Sequence, residues 1–294
     1  MHQKNILQGI IAYPITPFDR QERVNLSLFK LLVERLVLSG AHGLAPLGST
    51  GVLPYLTDEE KEAVAEAAIQ QVNRRVPVVV GVSNLTTERT IYHARFAEKA
   101  GADAVMVIPM SYWKLTEDEI FTHYSKVAES ISIPIMAYNN PATGGIDMSA
   151  ALLKKLLQIP NVTMIKESTG DVQRMHYLRR ELGEAVAFYN GSNPLALCAF
   201  AAGAKGWCTA ASNLAPDSVL ELYNAVQAND LAAARAVFDR LFALLQFIVA
   251  KGLPRTIKAG LKIQGVESGY LRSPLQPLAE ADYRQLESIL LGVR

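Results

Sequence analysis

A short apolar segment recurs eight times along the first two thirds of this chain, and each copy is followed by a loop and a helical pattern. Segments that are apolar on both faces are typical of parallel strands buried beneath helices. Eight strand–helix units predict an α/β fold of the closed (β/α)8 or TIM barrel type, because a doubly wound sheet usually needs only about five or six strands. The predicted strands are Ile6–Tyr13, Gly43–Leu47, Pro77–Val82, Ala104–Ile108, Ile133–Tyr138, Val162–Lys166, Ala185–Tyr189 and Gly206–Thr209.

Helix signals lie between these segments. Thr57 with Glu60, and Thr116 with Glu119, have the spacing of capping boxes, in which a hydroxyl and a carboxylate bind each other's backbone amides. A Gly-Ala pair closes three helical patterns just before a strand, where glycine tolerates the left-handed conformation that ends a helix. These glycines are Gly40, Gly101 and Gly203.

The chain from about Pro216 onward contains helical patterns and no further strand pattern. We expect residues 1–228 to form the barrel with the active site, and residues 229–294 to form a C-terminal helical extension. No linker or low-complexity run separates the two, so the extension is not expected to be an independent domain. The predicted helices of this part are Leu220–Gln227, Leu231–Lys251, Arg255–Ile263 and Ala281–Leu290.

Composition excludes several classes of protein. Half of the residues are apolar and 19% are charged, so the chain can bury a core and is not disordered. The formal charge of +1 leaves no basic excess for nucleic acid or an anionic membrane surface. The run Leu241–Ala250 is too short to span a bilayer, and the start of the chain lacks a signal-peptide pattern. Cys198 and Cys208 form no spaced pair, which fits a reducing compartment. We therefore expect a cytoplasmic protein.

Lys166 is the most informative polar residue, because it ends a predicted strand where a barrel places its active site. An ammonium group inside a barrel costs several kcal/mol unless it is paired or loses its proton. The neutral amine is a nucleophile that forms a Schiff base with a ketone. The alternative is that Lys166 merely ends the strand and pairs with Glu167 or with an acidic side chain in a loop.

Tyr138 ends the strand before that of Lys166, so the two side chains are expected to share one mouth of the barrel. A phenol beside an imine could move protons to and from the reacting carbons. The alternative is an aromatic ring that only closes the end of the barrel.

The segment Gly48-Ser49-Thr50-Gly51 forms a polar turn between a predicted strand and the helix that begins near Thr57. Such a turn presents backbone amides and two hydroxyls, which suit a carboxylate. It lacks the lysine of a phosphate-binding P-loop, and most turns of this composition are only turns.

No metal or cofactor site is predicted. The five histidines are scattered, no Gly-x-Gly-x-x-Gly follows a strand, and no serine–histidine–acid order stands out. His93, His123 and His176 lie in helical patterns, where solvated or capping roles are expected. Trp113 is expected in the core or in a pocket wall.

Three motifs resemble those of the dihydrodipicolinate synthase and N-acetylneuraminate lyase family, and the similarity runs along nearly the whole chain. It implies a class I, Schiff-base aldolase or lyase on a (β/α)8 barrel with C-terminal helices. It also implies a homotetramer built as a dimer of dimers, a 2-oxo acid substrate such as pyruvate, and no cofactor. The motifs are Gly48-Ser49-Thr50-Gly51, Tyr138-Asn139-Asn140-Pro141 and Ile165-Lys166-Glu167-Ser168-Thr169-Gly170.

The resemblance implies a role for each matching residue. Lys166 would form the imine with the ketone carbon, and Tyr138 would be the general acid and base. Ser49 falls where the family has a hydroxyl that links this tyrosine to a proton relay. Thr50 falls where a hydroxyl and an amide hold the carboxylate. Two further positions, Gly191 and the backbone carbonyl of Cys208, fall near family pocket positions.

Three positions depart from the family pattern. Thr143 stands where dihydrodipicolinate synthases carry an arginine that helps to bind the semialdehyde substrate, and Val52 stands where many members have glutamate. Tyr112 is the candidate for the relay tyrosine that family members contribute across a dimer, but its loop is one residue longer.

The sequence therefore favours a carbon–carbon or carbon–oxygen lyase acting on pyruvate or a related 2-oxo acid through a lysine imine. The alternative is a dihydrodipicolinate synthase that condenses pyruvate with aspartate semialdehyde. Two other classes stay open: a non-catalytic barrel that binds a 2-oxo acid, and a phosphate-binding barrel isomerase. The isomerase needs a phosphate cup after the last two strands, for which Gly191-Ser192-Asn193 is only half.

Overall fold

A computed structural model describes residues 7–183 and 186–293 of the chain. Two residues that begin predicted strands, Ile6 and Ala185, lie outside the described residues. The eight strands are β1 (Gly9–Ala12), β2 (Gly43–Leu44), β3 (Val79–Gly81), β4 (Ala104–Val107), β5 (Ile135–Asn139), β6 (Val162–Glu167), β7 (Ala187–Asn190) and β8 (Gly206–Thr209).

All eight predicted strands are present, and they form one parallel sheet in the order β2-β1-β8-β7-β6-β5-β4-β3. A parallel bridge between Leu44 and Val78 joins the two ends of this sheet, which closes it into a barrel. The predicted (β/α)8 barrel is therefore confirmed.

Strand β2 is three residues shorter than predicted. Pro46 has no backbone N–H to donate to a ladder, and Leu47 adopts a left-handed φ of 60° that a strand excludes. The chain consequently leaves the sheet early and enters the polar turn around Ser49.

Helices cover the outside of the barrel and follow the strands in alternation. Both predicted capping boxes are present: the Thr57 hydroxyl accepts from the Glu60 amide, and Thr116 pairs with Glu119 in the same way. The helices are α1 (Leu26–Leu38), α2 (Asp58–Val72), α3 (Thr87–Ala100), α4 (Glu117–Glu129), α5 (Pro141–Gly144), α6 (Ala150–Leu156), α7 (Val172–Leu182), α8 (Ala196–Ala201), α9 (Pro216–Gln227), α10 (Leu231–Lys251), α11 (Leu253–Ile263) and α12 (Glu280–Val293).

The predicted glycine helix ends are also present, since Gly40, Gly101 and Gly203 have φ values of 84°, 101° and 93°. A side chain would be strained in that left-handed region, which is why glycine stands there.

The last helices pack on the barrel through a shared apolar cluster. Leu241 and Ile248 of α10 join Ile10 of β1 and Trp207 of β8 in it. This shared burial supports the prediction that residues 229–294 are an extension rather than an independent domain, which stays a prediction. Among the described residues, no helix is long and apolar enough to cross a membrane.

The loop between α11 and α12 returns to the barrel and is held there by Arg272. Its guanidinium donates to both carboxylate oxygens of Glu60 in α2 and to the backbone oxygens of Glu22 and Tyr55. The guanidinium also lies over the ring of Phe18, 4.4 Å from its centroid. This loop therefore brings residues near position 275 to the mouth of the barrel.

Candidate active site

Lys166 lies on β6 with its side chain inside the barrel and only 4% of its surface exposed. Its Nζ atom lies 3.7 Å from the centroid of the Tyr138 ring and 4.2 Å from that of Tyr13. The parallel register places Tyr138 of β5 beside Lys166, as the sequence predicted for neighbouring strand ends. No carboxylate lies within 4 Å of this amine in the part of the chain that the structure describes, so aromatic faces are its main neighbours.

Glu167 points the other way and does not pair with Lys166, so the alternative of a simple ion pair between them is wrong. Its buried carboxylate lies 3.1 Å from Arg174 of α7 and accepts hydrogen bonds from Asn139 and from the Thr169 amide. Successive residues of a strand face opposite sides. Because these contacts hold Glu167 outward, they hold Lys166 inward.

Tyr138 is buried, and its hydroxyl accepts a 2.6 Å hydrogen bond from the side-chain amide of Asn140. Burial by itself raises the pKa of this phenol. The positive charge of Lys166 and hydrogen bonds from Asn140 and Ser49 outweigh burial, so the pKa lies below its ordinary value of 10.0. A phenol with a lowered pKa next to an amine is suited to receive and return a proton.

The turn after β2 brings Ser49 to Tyr138 and buries Thr50. A Cβ atom at Gly48 would lie 2.6 Å from the Tyr13 ring, so that ring can pack here only against glycine. The backbone carbonyl of Gly51 accepts a hydrogen bond from the Thr16 hydroxyl. The amides of Thr50 and Gly51 donate to no other backbone group in the described chain, which leaves them available for an anion.

Gly191, directly after β7, packs against Lys166. A Cβ atom there would lie 2.7 Å from Cε of Lys166 and 1.8 Å from Oγ of Ser168. The Ser168 hydroxyl is buried and has no hydrogen-bond partner among the described residues. An unpaired buried hydroxyl beside the amine is a free donor for a substrate oxygen.

Cys208 of β8 completes the wall of the barrel interior next to Tyr13. Burial raises the pKa of its thiol, against the opposing influence of the Lys166 charge. A neutral thiol contributes a small apolar surface at this position.

Tyr13 is a site residue that the sequence analysis missed. Its ring faces Lys166, and its hydroxyl donates to Sδ of Met106 at 3.1 Å. Burial raises its pKa well above the ordinary value, so it stays a neutral phenol. The rule that selected Tyr138 would also have found it, because Tyr13 ends the first apolar segment.

Two aromatic residues lie outside the site of this chain. Tyr112 and Trp113 are 90% and 78% exposed, and their rings pack edge to face 5.6 Å apart. The expectation that Trp113 lies in the core or in a pocket wall is wrong, because the loop after β4 carries both rings outward. Within the chain, Tyr112 does not reach Tyr138.

A cavity of about 430 Å³ leads from Tyr138 and Ser49 to the surface. The departing residues Val52 and Thr143 both lie in its wall. Its walls come from β3, β4 and β5, from the segments that follow β2, β3, β4 and β5, and from the C-terminal extension. The lining residues are Leu47, Gly48, Ser49, Val52, Leu53, Pro54, Tyr55, Gly81, Ser83, Met106, Ile108, Met110, Tyr138, Thr143, Pro254 and Leu275.

In the described chain, no group of three histidine, cysteine or acidic residues is arranged to hold a metal ion.

The expectation of a solvated or capping His93 is wrong, because its ring is buried and lies 2.8 Å from Asp58. Asp58 begins α2 and reaches α3 through this contact.

Comparison with known proteins gives one consistent result. The model of the "Dihydrodipicolinate synthetase family" matches residues 6–292. A curated 4-hydroxy-tetrahydrodipicolinate synthase of Phenylobacterium zucineum is 34% identical and is covered over 94% of each chain. The crystal structure of a candidate dihydrodipicolinate synthetase from Pseudomonas aeruginosa is 51% identical, with a TM-score of 0.96 over 98% of this chain and 100% of that one. YagE, a prophage protein of this family from E. coli K12 solved with pyruvate, is 29% identical, with a TM-score of 0.93 over 98% and 99% of the two chains.

Proposed function

The chain belongs to the dihydrodipicolinate synthetase family, and we propose that Lys166 is the amine with which this enzyme forms a Schiff base to a 2-oxo acid. The enzyme is a class I lyase, as are the members of its family. The observation that carries the assignment of Lys166 is its position: a buried amine between two phenol rings, with no acid paired to it in the described chain.

The chemistry follows from the properties of an imine. The amine gives up its proton and attacks the ketone carbon of the 2-oxo acid, which forms a carbinolamine. The carbinolamine hydroxyl then takes up a proton and leaves as water, so that an iminium ion remains. This ion accepts the electron pair released when a neighbouring carbon loses a proton, or when the next carbon–carbon bond breaks. Protonation of the resulting enamine and hydrolysis by water then return the amine and release the product.

Tyr138 is the proposed proton carrier of these steps. Its hydroxyl is close to Lys166, and its lowered pKa allows it to give up a proton and take one back. Ser49 positions this hydroxyl. Tyr112 belongs to the same relay only if a second copy of the chain brings it to the site, which the exposure of its ring would allow.

The substrate carboxylate is assigned to the turn after β2. The free amides of Thr50 and Gly51 and the hydroxyl of Thr50 offer an anion several donors, while Gly48 leaves room for the Tyr13 ring. Around the amine, the absence of a side chain at Gly191 and the small thiol of Cys208 leave space for the ketone. Thr143 is assigned to the outer wall, at the far end of the substrate.

Pyruvate and sodium borohydride test this assignment. Reduction should attach one pyruvate to the peptide that carries Lys166, and Lys166→Met should abolish the modification. Lys258 is a matched control within the same chain, because it is a second buried lysine, it lies outside the site, and burial lowers the pKa of its amine to about 7. Modification of Lys258 alone, or of neither lysine in the folded enzyme, would refute the proposal.

A second candidate is a 4-hydroxy-tetrahydrodipicolinate synthase, the name that several curated relatives carry at 30 to 34% identity. Condensation of pyruvate with aspartate semialdehyde would establish it. Thr143 argues against this substrate, because a hydroxyl cannot replace the charge-assisted hydrogen bonds of an arginine, each of which is worth about 1.5–3 kcal/mol.

Assembly and location complete the proposal. The exposed Tyr112–Trp113 pair supports association through the loop after β4, and a homotetramer is the expected assembly. Sedimentation of the intact protein and of Trp113→Ser measures it, with a smaller species expected for the variant. A cytoplasmic location is proposed with it.

A further inference from the structure

Among the described residues, no charged side chain lines the cavity that begins at Tyr138 and Ser49. Its sixteen lining residues include no aspartate, glutamate, lysine, arginine or histidine. The outer part is formed by apolar side chains from separate parts of the chain: Val52 and Leu53 after β2, Ile108 and Met110 after β4, and Leu275 from the C-terminal extension. The polar side chains of the lining carry only hydroxyls. A substrate carboxylate in this space would therefore have no charged partner.

Arg272 contacts the wall of the cavity from outside, but it has no free N–H donor for a ligand. Arg272 binds the backbone oxygen of Tyr55, a lining residue. A guanidinium has five N–H donors. All five of Arg272 are used, by the carboxylate of Glu60 and the backbone oxygens of Tyr55 and Glu22. It therefore supports the wall and offers nothing to a substrate anion.

A distal carboxylate would lose its water here without gaining a charged partner, which is unfavourable. A hydrocarbon group binds favourably here instead. Burying a group the size of a leucine or phenylalanine side chain raises affinity about ten- to a hundred-fold. The volume of about 430 Å³ is sufficient for both parts of such a substrate, since an apolar cavity of about 150 Å³ already holds benzene. The thioethers of Met106 and Met110 favour an aromatic ring, because sulfur packs well against ring edges.

We propose that the substrate is a 2-oxo acid whose far end is an uncharged hydrocarbon, best an aromatic ring, seated against Val52, Met110 and Leu275. This inference rests on the proposed function, since it places the 2-oxo acid on Lys166. The single carboxylate of the substrate lies at the turn after β2, and the rest of the molecule extends into the uncharged cavity.

Two ligands that differ mainly at the far end test the inference: 2-oxo-4-phenylbutanoate and 2-oxoglutarate. Each is titrated in the borohydride reaction, and the modification of Lys166 is followed by mass spectrometry, with pyruvate as reference. The phenyl ligand should reach half-maximal modification at a concentration about ten- to a hundred-fold lower than 2-oxoglutarate. Equal or better modification by 2-oxoglutarate would overturn the inference, whereas failure of pyruvate to modify Lys166 would overturn the proposed function itself.

A charge placed in the wall gives a second readout. Leu275→Lys should lower the half-maximal concentration of 2-oxoglutarate about five- to ten-fold and raise that of the phenyl ligand, with pyruvate little changed. Leu231→Lys adds the same charge at an exposed position at the start of α10 and should alter neither ligand. If both variants behave alike towards the two ligands, the cavity does not hold the far end of the substrate.

Discussion

Replacement of Gly191 by alanine tests how tightly the structure positions Lys166, the proposed Schiff-base lysine. The new Cβ atom would lie 2.7 Å from Cε of Lys166, whereas carbon atoms in contact are normally about 3.5–4.0 Å apart. The lysine must therefore move by roughly 1 Å, and a misplacement of about 1 Å can lower a rate by about 100-fold. Overpacking of this kind also costs about 1–3 kcal/mol of stability.

The assay follows the initial rate at which pyruvate and borohydride modify Lys166, together with urea unfolding. We expect Gly191→Ala to remain folded at assay temperature and to be modified about 100-fold more slowly than the unaltered enzyme. Gly292→Ala is the matched control, because, apart from its chain neighbours and the nearby backbone of its own helix, no described residue has an atom within 4 Å of its new Cβ.

A second variant separates the two neighbours of the new methyl group. Ser168→Gly removes the Oγ atom that the methyl would meet at 1.8 Å, but leaves its contact with Lys166. The double variant Gly191→Ala with Ser168→Gly should therefore stay slow. Recovery of the full rate in the double variant, or an unchanged rate in Gly191→Ala alone, would refute the reasoning that Gly191 sets the position of the amine.

Three further predictions concern the Tyr138 hydroxyl, the buried ion pair and stability in acid. Tyr138→Phe keeps the ring next to Lys166 but removes the hydroxyl. In steady-state kinetics, kcat should fall by about 10² to 10⁴ with little change in pyruvate affinity, and an unchanged kcat would exclude the phenol as general acid and base. Glu167→Gln removes the charge of the buried carboxylate beside Arg174, which keeps its ion pair with the exposed Asp147, so the variant should lose about 1–3 kcal/mol in urea unfolding. The exposed control Glu280→Gln should lose under about 0.5 kcal/mol, and equal losses would contradict the argument. Burial opposes the charge of Asp58, but hydrogen bonds, led by that from His93, lower the pKa of its carboxyl to about 2. Its contribution to the free energy of unfolding is therefore complete above the unfolded pKa of about 3.9 and is lost as the pH falls through about 2. Asp58→Asn should therefore flatten the loss of Tm between about pH 5 and pH 2, and an unchanged slope would exclude this carboxylate as a source.

Local pattern was sufficient to predict the barrel. Each strand is apolar on both faces over a few residues, and each intervening helix carries its own start and end signals, such as the capping box at Thr57 and the left-handed Gly101. These signals act within a few residues of chain, so no knowledge of distant contacts is needed to recognise them. The pairing of Tyr138 with Lys166 was also predictable, because neighbouring parallel strands end at the same edge of a barrel.

The surroundings of the amine were not predictable in the same way. The side of β6 on which Glu167 lies is held by Arg174 and Asn139, and the hydroxyl of Ser168 packs against Gly191, which directly follows β7. These are contacts between elements, and the sequence around Lys166 contains no trace of them.

What the sequence determined by itself is the alternation of strands and helices and the chemistry at the strand ends, because both are written within short windows of residues. What only the tertiary structure decided is the character of the cavity that begins at Tyr138 and Ser49. Leu275 and Pro254 reach that cavity from the C-terminal extension, and Arg272 of the same loop is saturated by Glu60 and by backbone oxygens more than 200 positions away in the chain. Side chains so far apart in sequence meet only after the barrel has closed, and it is their meeting that leaves the cavity without charge.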